Sequence, residues 1–337
     1  MQDIRIDVPR LLKEEFVFPF KETLDSQKDA SSTVTLDFTK LSFSYPFGML
    51  LLASQIRDFA DYRRARDTKT KADSISETNP VCSYLGHIGF FQHIGLRTVG
   101  NAPGQAGGST NYMPITELTR QELDADAALL NKSLGEAVAR RSAKLAPVLT
   151  QSYKPQFNEP VAYCFREIIR NVFEHATVDK CVLCAQRWRN GIVEIGIIDR
   201  GRGIRRSLEE KYSFGSDYEA LEKAVAPGVT RASGNDPGPW GNTGYGLHVL
   251  SEICRETGEF VLASGSSALL IANRQNNEWD KLFEGTAIKL RMNKPKKDFG
   301  EMMREIIDAG EKVAGSSGEV PKASKSSRTT SSADIPF

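Results

Sequence analysis

The chain has 337 residues, with 44 Lys+Arg against 43 Asp+Glu, a formal net charge of +1, 40% apolar and 26% charged residues. Near-neutrality argues against a surface that binds polyanions over its whole extent, and the longest apolar run, 47–53, is far short of the ~20 residues a membrane helix needs. The N-terminal run MQDIRIDVPRLLKEE has no secretory apolar core and the five cysteines are scattered, so a soluble, cytoplasmic protein of about two domains is expected.

In chain order, residues 33–38 (TVTLDF) alternate like a strand, and a helix is expected over 47–66. Leu50, Leu51, Ile56 and Phe59 supply its apolar face, with Arg57, Asp61 and Arg64 toward the other side. A short helix is expected over 83–96. Four glycines and a proline in 100–112 predict a flexible linker and a domain boundary. Good helix formers fill 120–151, and a helix is expected over 161–177. Strands are expected at 181–188 and 192–198, then a long loop over 205–240 and a helix from about Gly244. Further strands are expected at 259–263, 268–273 and 285–292, followed by a helix over 297–314. The last 23 residues are Ser-rich and poor in apolar groups, which predicts disorder. Cys181 and Cys184 form a C-x-x-C, but on a strand positions i and i+3 point to opposite faces. Both are expected as buried small side chains rather than a zinc or redox pair.

Four fragments carry chemistry. On the helix from 161, Ala162, Phe165, Ile168, Ile169, Val172 and Ala176 form one apolar stripe, while Glu167, Asn171 and Glu174 cluster on the opposite face. A strand then ends in Asp199-Arg-Gly201-Arg-Gly203-Ile204, a carboxylate followed by glycines that let a planar ligand approach the backbone. Gly241-Asn-Thr-Gly244-Tyr-Gly246 opens a helix, where free backbone N–H groups can cradle phosphate. Glu284-Gly285-Thr286 starts a strand and offers a hydroxyl. No Walker-type phosphate loop occurs.

In this order and on these elements, the fragments make 155–293 resemble the GHKL ATP-binding domain shared by gyrase, heat-shock chaperones, histidine kinases and mismatch-repair ATPases. The resemblance implies the Bergerat fold, an α/β two-layer sandwich with a mixed sheet and helices on one face. It implies ATP and Mg²⁺ as ligands, with Asn171 on the metal and Glu167 as general base. Asp199 would accept from the adenine amino group beside Gly201 and Gly203, and Thr286 would lie on the adenine side. Gly241, Gly244 and Gly246 would face the phosphates, and Glu174 falls where the family often carries a further acid. Arg202, Arg205 and Arg206 stand next to this turn either as phosphate forks or as a solvated charged loop.

The branches of the family differ in what surrounds this domain. The four histidines are His87, His93, His175 and His248, so 94–174 holds no phosphoacceptor for a self-phosphorylating histidine kinase. The residues after 293 are too few for the transducer domain of gyrase relatives, and Lys289, Lys294, Lys296 and Lys297 have no firm role. The N-terminal stretch LDFTKLSFSYPFGMLLLASQI, followed by FFQHIGL, is similar to the small α/β STAS modules. Their phosphorylatable Ser falls on Pro46 or Phe47 here, which implies a docking or sensing module. The expected organisation is a STAS-like module over 1–99, a linker and connector helix over 100–154, the ATP-binding domain over 155–293, and a helix with a loose tail over 294–337. The expected activity is that of a Mg²⁺-dependent ATP-binding switch with slow hydrolysis. Alternatives are an anti-sigma-type serine/threonine kinase and a non-hydrolysing sensor. A protein partner or second copy is expected to respond. The basic clusters at 63–71 and 291–297 lie among acids and lack interleaved aromatics, which argues against nucleic acid.

Overall fold

Burial along residues 34–37 leaves no solvent face, as befits the middle strand of a parallel sheet. The computed structural model describes residues 3–76, 78–106, 111–150, 155–230, 243–319, 322–324 and 328, and among these the fold is mixed α/β. Two units divide the chain: Met1–Gly108 with Met113–Glu117 and Val182–Ala185, and Ser109–Tyr112 with Leu118–Cys181 and Gln186–Phe337.

The first unit opens with β1 (Ile4–Asp7), β2 (Leu11–Leu12), α1 (Glu14–Ser26), β3 (Val34–Asp37), β4 (Phe43–Ser44), α2 (Pro46–Arg64), β5 (Thr70–Asp73), α3 (Pro80–His87) and α4 (Phe90–His93). Strands β1, β3 and β5 pair in parallel, residue 4 opposite 34 and residue 34 opposite 70. Parallel neighbours need crossovers, which α1 and α2 supply. Leu50, Leu51, Leu52 and Ala53 are all fully buried, so α2 is enclosed on every side over this stretch rather than on one stripe. Its end is anchored by Arg63, which has no exposed surface. The guanidinium donates to the carbonyls of Gln27 (3.0 Å), Lys28 (3.3 Å), Ala30 (2.8 Å), Ser32 (2.6 Å) and Lys69 (3.1 Å) and to Thr70 Oγ1 (3.2 Å). It thereby gathers the carbonyls of the connection that follows α1 and ties them to the entries of β3 and β5. Helix α1 was not expected from sequence. Pro19 lies inside it, and a proline beyond the first turn normally argues against a helix.

The chain continues through β6 (Tyr112–Thr119), α5 (Arg120–Leu130), α6 (Leu134–Thr150), α7 (Pro155–His175), β7 (Lys180–Arg187), β8 (Val193–Asp199), α8 (Ile204–Leu208), α9 (Asp217–Ala224), α10 (Gly246–Thr257), β9 (Gly258–Ala272), β10 (Gln275–Met292) and α11 (Phe299–Ser317). The five-stranded sheet has the order β6-β7-β8-β10-β9. Its β8–β10 and β10–β9 pairs are antiparallel, and residue 286 lies opposite 199. Thr119 and Glu122 close a reciprocal capping box at the start of α5, and Asn131 ends that helix in the left-handed region.

Four expectations change. The stretch 205–240 is not a continuous loop: α8 and α9 fall in its described part, the second capped by Ser216, whose hydroxyl accepts from the Glu219 N–H. The two runs 259–263 and 268–273 are one strand, β9, and β10 begins ten residues before the expected 285. A strand, β6, follows the expected linker directly. The final residues are not all loose: the Tyr212 hydroxyl donates to Glu319, and the Ala323 and Ser324 N–H groups donate to Glu311 and to Thr243 Oγ1. Cys181 and Cys184 are both buried and unbridged, and burial pushes the Cys181 thiol well up. Among the described residues, no helix is long and apolar enough to cross a membrane.

Candidate functional site

Strand β8 is buried at every position and delivers Asp199 at its end with 4% exposure. Asp199 Oδ1 accepts the N–H of Gly201 at 2.8 Å, and the backbone N–H and hydroxyl of Thr286 also donate to the carboxylate. Burial raises its pKa to about 6, and these hydrogen bonds offset only part of that rise. The turn after Asp199 seats on the end of α7: Arg202 N–H donates to Ala176 O at 3.2 Å, and a Cβ at Gly201 would collide with that carbonyl. On the other side of the turn, Ser264 Oγ accepts the Ile204 N–H (3.0 Å) and donates to Gly285 O (2.6 Å). Gly285 has φ +99°, and a Cβ there would strike Asp199 O. Ser264 and Gly285 hold the Asp199–Thr286 corner in shape. Gly285 sits in the quoted Glu-Gly-Thr run without being singled out from sequence, and nothing in the sequence around Ser264 marks it.

The second cluster forms where α7 meets the start of α10. A Cβ on Gly246 would lie 2.7 Å from Glu167 Oε2, 3.4 Å from an Arg170 guanidinium nitrogen and 3.6 Å from Asn171 Nδ2. A larger residue at 246 would have to displace the Glu167 carboxylate from its place beside Arg170. Asn171 Nδ2 is buried with no hydrogen-bond partner among the described residues. With His175, Thr230, Gly244, Gly246 and Leu247, Asn171 lines a cavity of about 50 Å³. The orphaned atom is an amide N–H₂, a donor suited to an anionic oxygen such as that of a phosphate. A Mg²⁺ contact would have to come from Oδ1 of the same side chain, with phosphates and water supplying the other ligands. Among the described residues, no cluster of three His, Cys, Asp or Glu could hold a metal ion by itself.

Glu167 departs from what its polar row suggested. It has no exposed surface, with Arg166 Nε at 3.0 Å and an Arg170 guanidinium nitrogen at 2.6 Å, and Arg170 itself is 3% exposed. The polar face of α7 is covered rather than solvated, because α6 and α10 both pack against this helix. Glu167 Oε1 accepts from Arg166, and Oε2 lies in an ion pair with Arg170; two cations beside a carboxylate stabilise its charged form and make it a weaker base. Glu174 lies beside His175 (3.9 Å) and lines neither cavity. Gly241 and Trp240 fall outside the described residues.

A larger cavity of about 810 Å³ opens on the outer side of the turn, lined by Gly201, Gly203, Arg205, Ser264, Phe283 and Gly285 among others. Two of its arginines are committed to protein partners. Arg202 binds Glu210 (2.7 Å) and His175 O (3.2 Å), and Arg205 binds Glu209 (2.7 Å), Asp217 (3.5 Å) and Phe214 O (2.9 Å). They brace the turn instead of standing free as phosphate forks. Of the lysines, Lys289 is 1% exposed and pairs with Glu259 at 2.8 Å, and Lys297 pairs with Glu305.

Helix α7 therefore joins two clusters, with Asn171 facing Gly246 at one level and Ala176 facing Gly201 at the next. No known family, no curated protein and no solved structure matches the chain. Its function has to be argued from these clusters.

Proposed function

We propose that residues 155–293 form an adenine-nucleotide site of the Bergerat kind and that the chain works as a Mg²⁺·ATP-responsive switch. The observation that carries this is the Asp199 corner. A buried carboxylate is held by Gly201 and Thr286 at a strand end, and the turn that follows it seats on Ala176 at the end of α7, the helix that carries Asn171. Asp199 supplies an acceptor for an exocyclic amino group, which adenine has and guanine lacks in that place. Asn171 supplies a metal contact, and the start of α10 supplies backbone N–H groups to phosphate. Bound Mg²⁺ would add charge neutralisation of the phosphates. The burial of Glu167 between Arg166 and Arg170 favours a site that holds nucleotide over one that turns it over quickly. A protein partner or a second copy of the chain would read the occupied state.

The test is a titration of the full chain with a fluorescent ATP analogue in Mg²⁺, with ATP and GTP as competitors. ATP should compete and GTP should not. Asp199→Asn should weaken binding by about 10- to 100-fold, the usual loss of a hydrogen bond to a charged group. Equal competition by GTP, or full affinity in the variant, would sink the adenine assignment.

The protonation of Asp199 adds a pH signature. Its folded pKa, about 6, lies above the ordinary 3.8, so the folded state holds this proton more tightly than the unfolded chain. Its contribution to the stability of the nucleotide-free protein therefore falls as pH rises from about 4 to about 6, and is level above that. Nucleotide affinity should move the opposite way, rising as pH passes about 6 and the carboxylate forms. Affinity that is flat between pH 5 and 8 would remove Asp199 from the site.

A further inference from the structure

The Asp199 corner and the Asn171 cavity stand on different elements, and Ser264 touches the support of both. Between the β9–β10 pairs 265/283 and 263/287 lie one residue of β9, Ser264, and three of β10, 284–286. Such a bulge interrupts the ladder of backbone hydrogen bonds, and a side chain can bond the strand there instead. The buried Ser264 hydroxyl does so, donating to Gly285 O at 2.6 Å, one residue before Thr286. The same oxygen accepts the N–H of Ile204, the first residue of α8, at 3.0 Å. A hydroxyl has one proton to give, so the chain of bonds runs from Ile204 N–H through Ser264 to Gly285 O.

The two ends of that chain serve different parts of the site. Gly285 adjoins Thr286, whose N–H and hydroxyl donate to the Asp199 carboxylate. Ile204 lines the Asn171 cavity, together with Ser207 and Leu208 of the same helix. Gly203, just before α8, has φ +78°, and a Cβ there would lie 2.7 Å from Ser264 Oγ. The backbone on both sides packs on this hydroxyl, so a shift of β10 at Gly285 passes to α8 through one short side chain.

We infer that Ser264 is a positioning residue that couples the two ends of the nucleotide site: a base seated on the Asp199–Thr286 corner sets, through the Ser264 hydroxyl, the wall of the Asn171 cavity that phosphate must meet. The inference rests on the nucleotide site proposed above. Such coupling is reciprocal, so phosphate in the cavity tightens the base by the factor by which the base tightens phosphate.

The test is calorimetric titration of the full chain with adenosine in Mg²⁺, with and without saturating pyrophosphate, for wild type, Ser264→Ala and Ser264→Thr. In wild type pyrophosphate should tighten adenosine by about tenfold, within the ~5- to 150-fold range usual for coupled sites. Ser264→Ala should still bind each ligand alone, with the factor reduced to about one, and Ser264→Thr, which keeps a hydroxyl, should keep the factor. A residue that serves stability alone would lower the melting temperature and leave the factor unchanged. If Ser264→Ala does not melt as wild type does, Ser264→Cys, whose thiol bonds only weakly, takes its place with the same expectation. A factor retained without the hydroxyl, lost in Ser264→Thr as well, or absent from wild type overturns the coupling and leaves the nucleotide site standing. No adenosine binding by wild type overturns both.

Discussion

Arg63→Met should cost the first unit about 3–5 kcal/mol of stability, the summed penalty of several buried carbonyls losing a charged donor at about 1–3 kcal/mol each with partial relaxation. The methionine would fill much of the volume, so the loss would be one of hydrogen bonding and not of packing. Five backbone carbonyls and one hydroxyl would lose the donor that satisfies them. Those carbonyls come from the connection after α1 and the approaches to β3 and β5, so three elements lose a common anchor. Arg63→Lys should recover little, because one ammonium has three donors and no planar fork to span acceptors this spread out. Denaturant unfolding of the full chain, followed by amide exchange over 27–37 and 68–73, would show it. A midpoint unchanged from wild type would mean that solvent replaces the guanidinium at no cost.

Glu167→Ala should have a similar effect on the second unit, again about 3–5 kcal/mol, because it leaves Arg166 and Arg170 without their shared carboxylate in a buried place. Glu167→Gln keeps the shape and loses only the charge, so it should be milder. This matters for separating a sensor from an enzyme. A non-functional Glu167→Ala protein says nothing about proton abstraction if it is also unfolded. The decisive pair is Glu167→Gln against Asn171→Ala, each first shown to melt like wild type, then assayed for nucleotide binding and phosphate release. Binding retained in Glu167→Gln with no change in phosphate release places Glu167 as a positioning residue that keeps Arg170 and Asn171 against Gly246. A wild-type melting profile for Glu167→Ala would show that the ion cluster is not what holds this corner.

Several features were visible in the sequence because they depend on residue type at a fixed spacing. The apolar stripe of α7 places Asn171, and a carboxylate followed by two spaced glycines marks the end of β8. Gly246 at the start of α10 follows from the phosphate-cradle pattern, and the structure adds that a Cβ there would press on the Glu167 carboxylate. What escaped depends on partners distant in sequence. Periodicity shows which residues of α7 share a polar face but not what packs over it, so the full burial of Glu167 could not be read from it. Pro19 hid α1, and the density of glycine and proline over 205–240 hid α9 despite the Ser216–Glu219 cap. The tail read as loose because composition averages over Glu319, whose burial comes from Tyr212 and Lys223 about a hundred residues earlier.

The pairing of β8 with β10 also shapes how the protein reaches its native state. Residue 4 finds residue 34 across a single helical crossover, whereas residue 199 must find residue 286 after all the chain between them has been threaded. Closing so long a loop delays the reward of its contacts, and folding rates fall as such distant pairings dominate. The Asp199–Thr286 corner is thus expected to form late. A ligand that binds only the finished corner would pull the folding equilibrium forward by mass action. Were that ligand the proposed nucleotide, its supply would bias how much of the chain is folded.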